Sequence, residues 1–408
     1  MSGGVCSGVG GVVAVRAPVV PNRSAARSHE DGNFVLISGA ESRKCPTRMS
    51  RHSPPLAKDR YRSIFSGRMR RIPLAPPRRI QLSGKDSVAD WPVGGPSLSG
   101  LVAEPRRPIT RETLDLPAPA KERLRPWFDP RGWFRTLERF ASHQLSRTLY
   151  PRIPGLNRPY SWILERQLTL SEAQVELECL PAPFDRLRIL MISDIHAGPF
   201  VAPAVLERTI DRLLTLEPDL ILLAGDLLTA RIDEWSANRN TFAKLRAPLG
   251  TFAVMGNHDH YIGEIEKLIE LVEGEGIRVL NNSSHTLRRG GAALSLAGVD
   301  DLVMGTPDLD KALDGTDAPV ILISHNPDIL FDAARSGVAL MLSGHTHGGQ
   351  VRLPRLPVLV RQSRYRLDEG RFTVGKTQAI VSRGLGVVGV PFRFGCPPEA
   401  LLLTLRTA

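Results

Sequence analysis

Five short clusters of histidine, carboxylate and amide residues follow one another in the second half of this 408-residue chain. They are Asp194-Ile195-His196, Gly225-Asp226, Gly256-Asn257-His258-Asp259, Ser324-His325-Asn326 and Gly344-His345-Thr346-His347. Imidazole nitrogens with carboxylate and amide oxygens bind divalent cations of borderline softness, and a pair of such ions needs about eight protein donors. No cysteine lies in any cluster, which argues against a structural Cys-rich zinc site. The pattern predicts a two-metal, phosphoester-cleaving site.

Each cluster follows a run of aliphatic residues that is typical of a strand buried on both faces. The predicted strands cover residues 187–192, 220–224, 251–255, 320–323 and 338–342, with a further one at 400–405. Helical patterns at 204–216, 265–273 and 327–336 alternate with them, which favours an α/β fold with helices on the sheet faces. Ligands of open α/β sheets bind outside the carboxyl ends of the strands, so we expect the five clusters to converge on one pocket.

In this order the clusters resemble the pattern of the calcineurin-like metallophosphoesterase superfamily, D-x-H, G-D, G-N-H-D/E, H and G-H-x-H. The resemblance covers about residues 170–408 and implies a four-layer αββα sandwich of two mixed β-sheets flanked by helices. Further stretches are similar to the bacterial phosphodiesterase branch related to membrane-associated UDP-2,3-diacylglucosamine hydrolases. These stretches are residues 296–301, 324–328, 348–354, 381–386 and 393–399.

The resemblance also implies a role for each cluster residue. One metal ion would be bound by Asp194, His196 and His347, the other by Asn257, His325 and His345, with Asp226 as the bridge. His258 would be the catalytic histidine, and Asp259 would orient its imidazole and favour the charged form. A hydroxide bridging the two ions would attack phosphorus, and the ions could be Mn, Fe, Zn or Co because nitrogen and oxygen donors accept each of them.

Two arginines are candidate substrate contacts. Arg352 and Arg383 could each hold two phosphate oxygens with one guanidinium group, or could equally be surface charges.

The N-terminal part of the chain has a different composition. Residues 1–125 hold 22 of the 53 Lys and Arg but only 10 of the 42 Asp and Glu, and they are rich in Pro, Gly and Ser. This composition predicts a disordered basic arm over residues 1–126. The arm could attract nucleic acid or an anionic membrane leaflet, could be a solvated tail, or could lie upstream of a native start at Met49 or Met69.

Residues 127–169 predict a connecting region with an amphipathic helix at 132–150 that carries aromatic and basic side chains. This helix could lie in a membrane interface or pack on the catalytic domain at 170–408. No apolar stretch is long enough to span a bilayer, the N-terminus does not resemble an export signal, and the four cysteines form no spaced pairs. We therefore expect a cytoplasmic protein, peripheral on the inner membrane at most.

Three functions from different classes follow from these patterns. The first is a metal-dependent phosphodiesterase or pyrophosphatase acting on a small or lipid-linked phosphoester, with hydrolysis of UDP-2,3-diacylglucosamine in lipid A biosynthesis as the specific reaction that the resemblance implies. The second is a nuclease on the same fold, assisted by the basic arm. The third is a non-catalytic binding scaffold, which predicts gaps in the metal-ligand set. The sequence does not indicate an oligomeric state.

Overall fold

The computed structural model describes residues 111–114, 144–317, 319–353, 358 and 361–408. Its strands are β1 Arg111–Leu114, β2 Thr169–Leu177, β3 Arg188–Ile192, β4 Leu220–Ala224, β5 Thr251–Val254, β6 Ile277–Val279, β7 Ser283–Arg289, β8 Ala292–Gly298, β9 Val320–Ile323, β10 Leu340–Ser343, β11 Gly370–Val374, β12 Thr377–Val381 and β13 Glu399–Thr407. Its α-helices are α1 Arg158–Gln167, α2 Pro203–Leu214, α3 Asp233–Ala243, α4 Asn257–Tyr261, α5 Ile265–Gly274, α6 Leu309–Ala312 and α7 Leu330–Arg335. Residues 144–148 are also helical.

These strands form two sheets. In the described part of the chain one sheet has seven strands in the order β1-β11-β12-β10-β9-β8-β7, and the other has six in the order β2-β13-β3-β4-β5-β6. Strands β3, β4, β5 and β6 pair in parallel, whereas β13 is antiparallel to β3 and parallel to β2. The other sheet also combines parallel and antiparallel pairs. The predicted pair of mixed sheets is confirmed.

Alternate side chains of the central strands pack on opposite faces of each sheet, and this arrangement produces the layers of the fold. Ile189 and Met191 of β3 join the apolar cluster between the two sheets, whereas Leu190 and Ile192 join the cluster beneath α1 and α2. Side chains of a strand point alternately to opposite faces, so a strand that is apolar throughout can be covered on both. On the other sheet Leu322 joins a third cluster that includes residues of α7. The sheets therefore pack on each other and carry helices on their outer faces, as predicted.

The predicted elements agree closely with the observed ones. Strand β4 has the predicted bounds, and β9 does as well. Helix α2 begins at Pro203, one residue before its predicted start, because proline is well suited to the first helical turn. The predicted helix at 327–336 is a 3-10 turn at Pro327–Ile329 followed by α7.

Four residues of the predicted arm belong to a sheet. Strand β1 pairs in parallel with β11, from Arg111 opposite Arg371 to Leu114 opposite Val374. All other residues of the arm, and residues 127–143 of the connecting region, lie outside the described residues, so the predicted disorder and most of the predicted amphipathic helix stay predictions.

The described end of the connecting region packs on the catalytic domain. The Tyr150 hydroxyl donates to the Gly389 carbonyl at 3.1 Å, and its ring centroid lies 5.2 Å from that of Phe200. Tyr160 of α1 is fully buried and its hydroxyl donates to the Leu385 carbonyl. For these residues the structure favours packing over a membrane interface. Every helix in the described part of the chain is too short or too polar to cross a membrane.

Candidate metal centre

The five sequence clusters converge because the strands that precede them end at the same edge. Strands β3, β4 and β5 are parallel neighbours in one sheet, and β9 and β10 are parallel neighbours in the other. Asp194, Asp226 and Asn257 follow the first three strands, and His325 and His345 follow the other two. The site therefore lies across the carboxyl-end edges of both sheets, where the sequence predicted it.

A first group of donors forms a compact, buried cluster. Asp194, His196, Asp226 and His347 each offer one ligand atom, and these atoms all lie within 4.8 Å of one another. His196 Nε2 lies 3.2 Å from His347 Nε2 and 3.4 Å from Asp226 Oδ2. Two imidazole nitrogens and two carboxylates at this spacing can hold a divalent cation.

A second group surrounds His325. Its Nε2 atom lies 3.3 Å from Asp226 Oδ2, 3.2 Å from Asn257 Oδ1 and 3.2 Å from His345 Nδ1. The same oxygen of Asp226 thus lies beside both groups, which is the position that a bridging ligand requires. The structure brings all seven predicted ligand side chains together.

Several of these residues have an unusual backbone conformation. Positive φ angles occur at Asp194 (49°), His196 (45°), Asp226 (52°), His345 (72°) and His347 (52°). Residues other than glycine rarely adopt this region, which costs on the order of 1–3 kcal/mol each and is concentrated at functional sites. Backbone hydrogen bonds hold the first two loops together, from Asp194 to Gly225 and from His196 to Asp226, both at 3.0 Å.

Glycine at position 256 is required by the same close packing. A Cβ atom there would overlap Asp226 Oδ1 and the Asp226 backbone nitrogen. The glycine therefore allows the loop that carries Asn257 to approach the loop that carries Asp226.

Burial and neighbouring charges put the donors in forms suited to a cation. Burial lowers the pKa of His196 to about 3 and that of His347 well below its usual value, so both imidazoles are neutral. Burial opposes ionisation of Asp226, but His325 and His258 hold its pKa well below the usual range. Burial likewise opposes charge on His325, but Asp226 raises its pKa to about 10. Ionised Asp226 thus lies beside protonated His325, and a divalent cation bound there would take the place of that proton.

His258 lies beside this donor set. Its Nδ1 atom lies 2.8 Å from the Thr229 carbonyl oxygen, and since a carbonyl can only accept, Nδ1 carries the hydrogen. The ring centroids of His258 and His196 are 4.7 Å apart. The backbone N–H of His258 donates to Asp226 Oδ1 at 2.8 Å, which ties the position of this residue to the bridging carboxylate.

The predicted contact between the Asp259 carboxylate and the imidazole of His258 is wrong. Its carboxylate accepts the backbone N–H groups of Leu227 at 3.0 Å, Leu228 at 3.1 Å and Gly256 at 2.9 Å, and the imidazole of His258 is held by Thr229 instead. Burial, and next the nearby Asp226, raise the pKa of Asp259 to about 7. Asp259 caps the short helix α4 and fastens it to the loop after β4.

The two predicted phosphate contacts already have carboxylate partners. Arg352 forms an ion pair with Glu369, and Arg383 lies 3.7 Å from the same carboxylate. Arg383 also donates to Glu399 Oε1 at 3.0 Å. Each guanidinium charge is thus offset by a carboxylate, and a contact of either arginine with a phosphate stays a prediction.

A third arginine, which the sequence did not single out, supports the metal centre from behind. Arg393 is 5% exposed and donates to the carbonyl oxygens of Gly386 at 2.9 Å, Arg383 at 2.7 Å and His347 at 3.2 Å. It also contacts His347 Nδ1 at 3.2 Å and Cys396 Sγ at 3.9 Å. Because guanidinium donors are numerous and rigid, Arg393 can fasten the His347 turn to the loop at 383–386.

Glu234 orders the loop that carries the Thr229 carbonyl. Its Oε2 atom accepts the backbone N–H groups of Thr229 at 2.9 Å, Ala230 at 3.0 Å and Arg231 at 3.3 Å. Burial raises the pKa of Glu234 to about 7, although these three hydrogen bonds act in the opposite direction.

This pKa predicts a pH dependence of stability. Between its usual value of 4.5 and about pH 7, folded Glu234 keeps a proton that the unfolded chain releases, so its contribution to the free energy of unfolding falls as pH rises through this window. Glu234→Gln lacks that dependence. Relative to the native protein, the variant should gain on the order of 3 kcal/mol across the window.

Urea unfolding of the metal-free proteins at pH values spanning the window measures this difference. Glu266→Gln, which alters an exposed glutamate on α5, serves as the control and should show no such trend. A stability difference between Glu234→Gln and the native protein that stays constant with pH would contradict the prediction.

Comparison with known proteins agrees with this geometry. Residues 187–349 match the family Calcineurin-like phosphoesterase. The uncharacterized metallophosphoesterase YkuE of Bacillus subtilis is 32% identical over 258 residues, which are 61% of this chain and 89% of that protein. The phosphodiesterase YaeI of Escherichia coli is 32% identical over 235 residues, 55% of this chain and 83% of that protein.

A vertebrate protein is similar over a smaller share of its length. The transmembrane protein with metallophosphoesterase domain of Danio rerio is 32% identical over 255 residues, which are 58% of this chain and 57% of that protein. The chain thus spans little more than half of that relative. The family match and the bacterial relatives show that the chain belongs to the calcineurin-like metallophosphoesterases, and the buried donor cluster indicates two divalent metal ions.

Proposed function

We propose that this metallophosphoesterase hydrolyses a phosphodiester or pyrophosphate bond at a dinuclear metal centre. The observation that carries the proposal is the complete donor set on both sides of Asp226 Oδ2, with His196 Nε2 at 3.4 Å and His325 Nε2 at 3.3 Å. A non-catalytic scaffold would be expected to lack one or more ligands, and all seven side chains are present.

Asp226 would be shared by the two metal ions. One ion would be held by Asp194, His196 and His347, and the other by Asn257, His325 and His345. Bound there, two cations of the Mn, Fe, Zn or Co type would offset charge on the phosphoryl oxygens and acidify an attacking water.

His258 would supply proton transfer. Because the Thr229 carbonyl engages Nδ1, the ring presents Nε2 as its second polar atom. In the charged imidazolium form Nε2 also carries a hydrogen, and it can then donate to a phosphoryl oxygen or protonate the leaving group, a contribution typical of a general acid. Thr229 fixes the ring orientation, and Glu234 fixes Thr229 through its backbone N–H.

Hydrolysis of bis-p-nitrophenyl phosphate by the purified full chain tests the proposed class of reaction. Turnover should require added Mn²⁺ and should disappear with a chelator and return when the metal is restored. Absence of turnover in protein that carries two equivalents of metal would contradict a general phosphodiesterase. Absence of bound metal would contradict the dinuclear centre itself.

The specific substrate that we propose is UDP-2,3-diacylglucosamine, cleaved to the lipid monophosphate and UMP. The sequence resemblance to that branch supports it, as do exposed apolar side chains close to the metal centre. Phe394 is 53% exposed, and its backbone N–H donates to the carbonyl of Gln350, which follows the His347 turn. Val390 and Phe392 of the same loop are also exposed.

A lipid-linked substrate, or peripheral contact with a membrane, would cover this loop. Release of UMP from the substrate in detergent micelles, with metal-loaded protein, is the expected result. If the protein cleaves bis-p-nitrophenyl phosphate but releases no UMP, UDP-2,3-diacylglucosamine is ruled out as the substrate and the proposed reaction class still holds.

A further inference from the structure

A basic pocket lies beside the loop that holds His258. Its volume is about 400 Å³, and its lining includes Arg147, Arg152 and Arg231 together with Ala230 and Ile262. None of the seven candidate metal ligands lines it. The pocket is therefore a separate cavity, next to the proposed reaction centre.

Two connections fix this pocket relative to the metal centre. Ala230 and Arg231 directly follow Thr229, whose carbonyl engages His258, and the Glu234 carboxylate accepts the backbone N–H groups of all three residues. Ile262, which also lines the pocket, directly follows helix α4, which begins with Asn257 and His258. The walls of the pocket and the donors of the metal centre thus share the same two loops.

The arginines of the pocket differ in their partners. Arg231 donates to Asp233 Oδ1 at 2.8 Å, so its charge is balanced. Arg152 donates to the Thr148 carbonyl at 2.7 Å, and Arg147 has no carboxylate partner within the described ranges. Glu264 also lines the cavity, but it pairs with Lys267 at 2.9 Å.

Among the residues that the structure describes, the guanidinium groups of Arg147 and Arg152 therefore have no carboxylate partner. Guanidinium donors match phosphate oxygens in number and geometry, and an arginine without a carboxylate keeps those donors available. Ala230 and Arg231, whose backbone N–H groups are held by Glu234, form an ordered wall beside these two guanidinium groups. Asp233 and Glu264 also line the pocket, so its three arginines leave a net positive charge, which favours an anion.

We propose that this pocket binds a second phosphoryl group of the same substrate molecule whose scissile phosphoester lies at the metal centre. The inference rests on the proposed reaction class, phosphoester cleavage at the metal centre, and not on UDP-2,3-diacylglucosamine, whose two phosphoryl groups are directly joined. It names another substrate class: compounds with two separated phosphoryl groups bind in preference to simple phosphodiesters. Arg147 and Arg152 determine this specificity.

Direct calorimetric titration of the metal-loaded full chain tests the proposal without relying on turnover. The probes are propylphosphonate and a series of linear alkane bisphosphonates whose spacer grows from three to seven carbons. At the spacer that reaches both sites, the bisphosphonate should bind about tenfold or more tightly than the monophosphonate, since a charge-assisted hydrogen bond contributes enough for this factor. In Arg147→Gln/Arg152→Gln this ratio should fall close to one.

Arg166→Gln/Arg288→Gln is the matched control, because it removes two exposed arginines that lie outside the pocket. It should keep the native ratio. An equal ratio in the native protein and the pocket variant would overturn the proposal, as would two independent monophosphonate sites with no gain from any spacer. Turnover of bis-p-nitrophenyl phosphate by the native protein reports separately on the proposed function, so the two failures are distinguishable.

Discussion

Asp226→Asn is expected to lower metal-dependent turnover of bis-p-nitrophenyl phosphate by about a thousandfold or more. The Oδ2 atom of Asp226 lies beside donors of both ligand groups, and a neutral amide cannot supply the shared negative charge that holds two cations. Loss of several kcal/mol of transition-state stabilisation corresponds to a decrease of this size. The measurements are kcat/KM and the metal content of the variant.

Asp219→Asn provides the matched control, because Asp219 directly precedes the other end of the same strand, β4. Its carboxylate accepts the backbone N–H of Arg188 at 2.9 Å and lies outside the metal centre. The control should retain both bound metal and turnover. An Asp226→Asn protein that keeps two bound ions and native turnover would contradict the bridging role.

His258→Gln is expected to reduce kcat by about a hundredfold to ten-thousandfold while metal content stays unchanged, the range typical of a lost general acid or base. The reason is geometric: the ring is held by Thr229 and is not one of the seven candidate metal ligands. The reduction should be larger for an alkyl leaving group than for p-nitrophenolate, because a poor leaving group depends more on protonation.

Two further variants separate this role from structural effects. His285→Gln alters a histidine on β7, remote from the site, and should leave kcat unchanged. Asp259→Asn should mainly lower the free energy of unfolding, because the carboxylate accepts backbone N–H groups of the loop after β4. An equal reduction of kcat by His258→Gln for good and poor leaving groups would contradict proton transfer to the leaving group.

The sequence predicted the centre of the fold because its strands are unusually easy to recognise. Strands such as β4 are apolar throughout and are followed by Gly-Asp, which defines both their bounds and their burial. The outer strands lack this pattern: β7 is mostly exposed, and Leu287 is its one buried residue. Strand β1 lies within a basic, polar stretch whose composition predicts disorder, and only its pairing with β11 reveals it.

The side chains that form the site could be predicted from the sequence. The contacts that these residues make with backbone atoms could not. The order of strand ends was sufficient to predict that the seven donors meet. The contact between His258 and Thr229 uses a carbonyl oxygen, which every residue has, so no sequence signal distinguishes it. Asp259 was adjacent in sequence to His258 and was assigned to it, whereas the helical turn directs its carboxylate toward Leu227 and Leu228.

The partners of the arginine side chains could not be predicted from the sequence either. Arg383 finds its partner Glu399 sixteen residues away, and Arg352 finds Glu369 seventeen residues away, so neither pairing is visible as a local pattern. The basic pocket depends on three arginines from two distant segments, residues 147–152 and the loop after β4. Only the folded chain shows which guanidinium groups have carboxylate partners and which remain available.

Anomalous X-ray diffraction from crystals of the full chain grown with Mn²⁺ tests the central claim most directly. We expect two anomalous peaks about 3.5–4 Å apart, one beside Asp194, His196 and His347 and the other beside Asn257, His325 and His345, with Asp226 in contact with both. A single peak, or two peaks that do not share Asp226, would contradict the dinuclear centre.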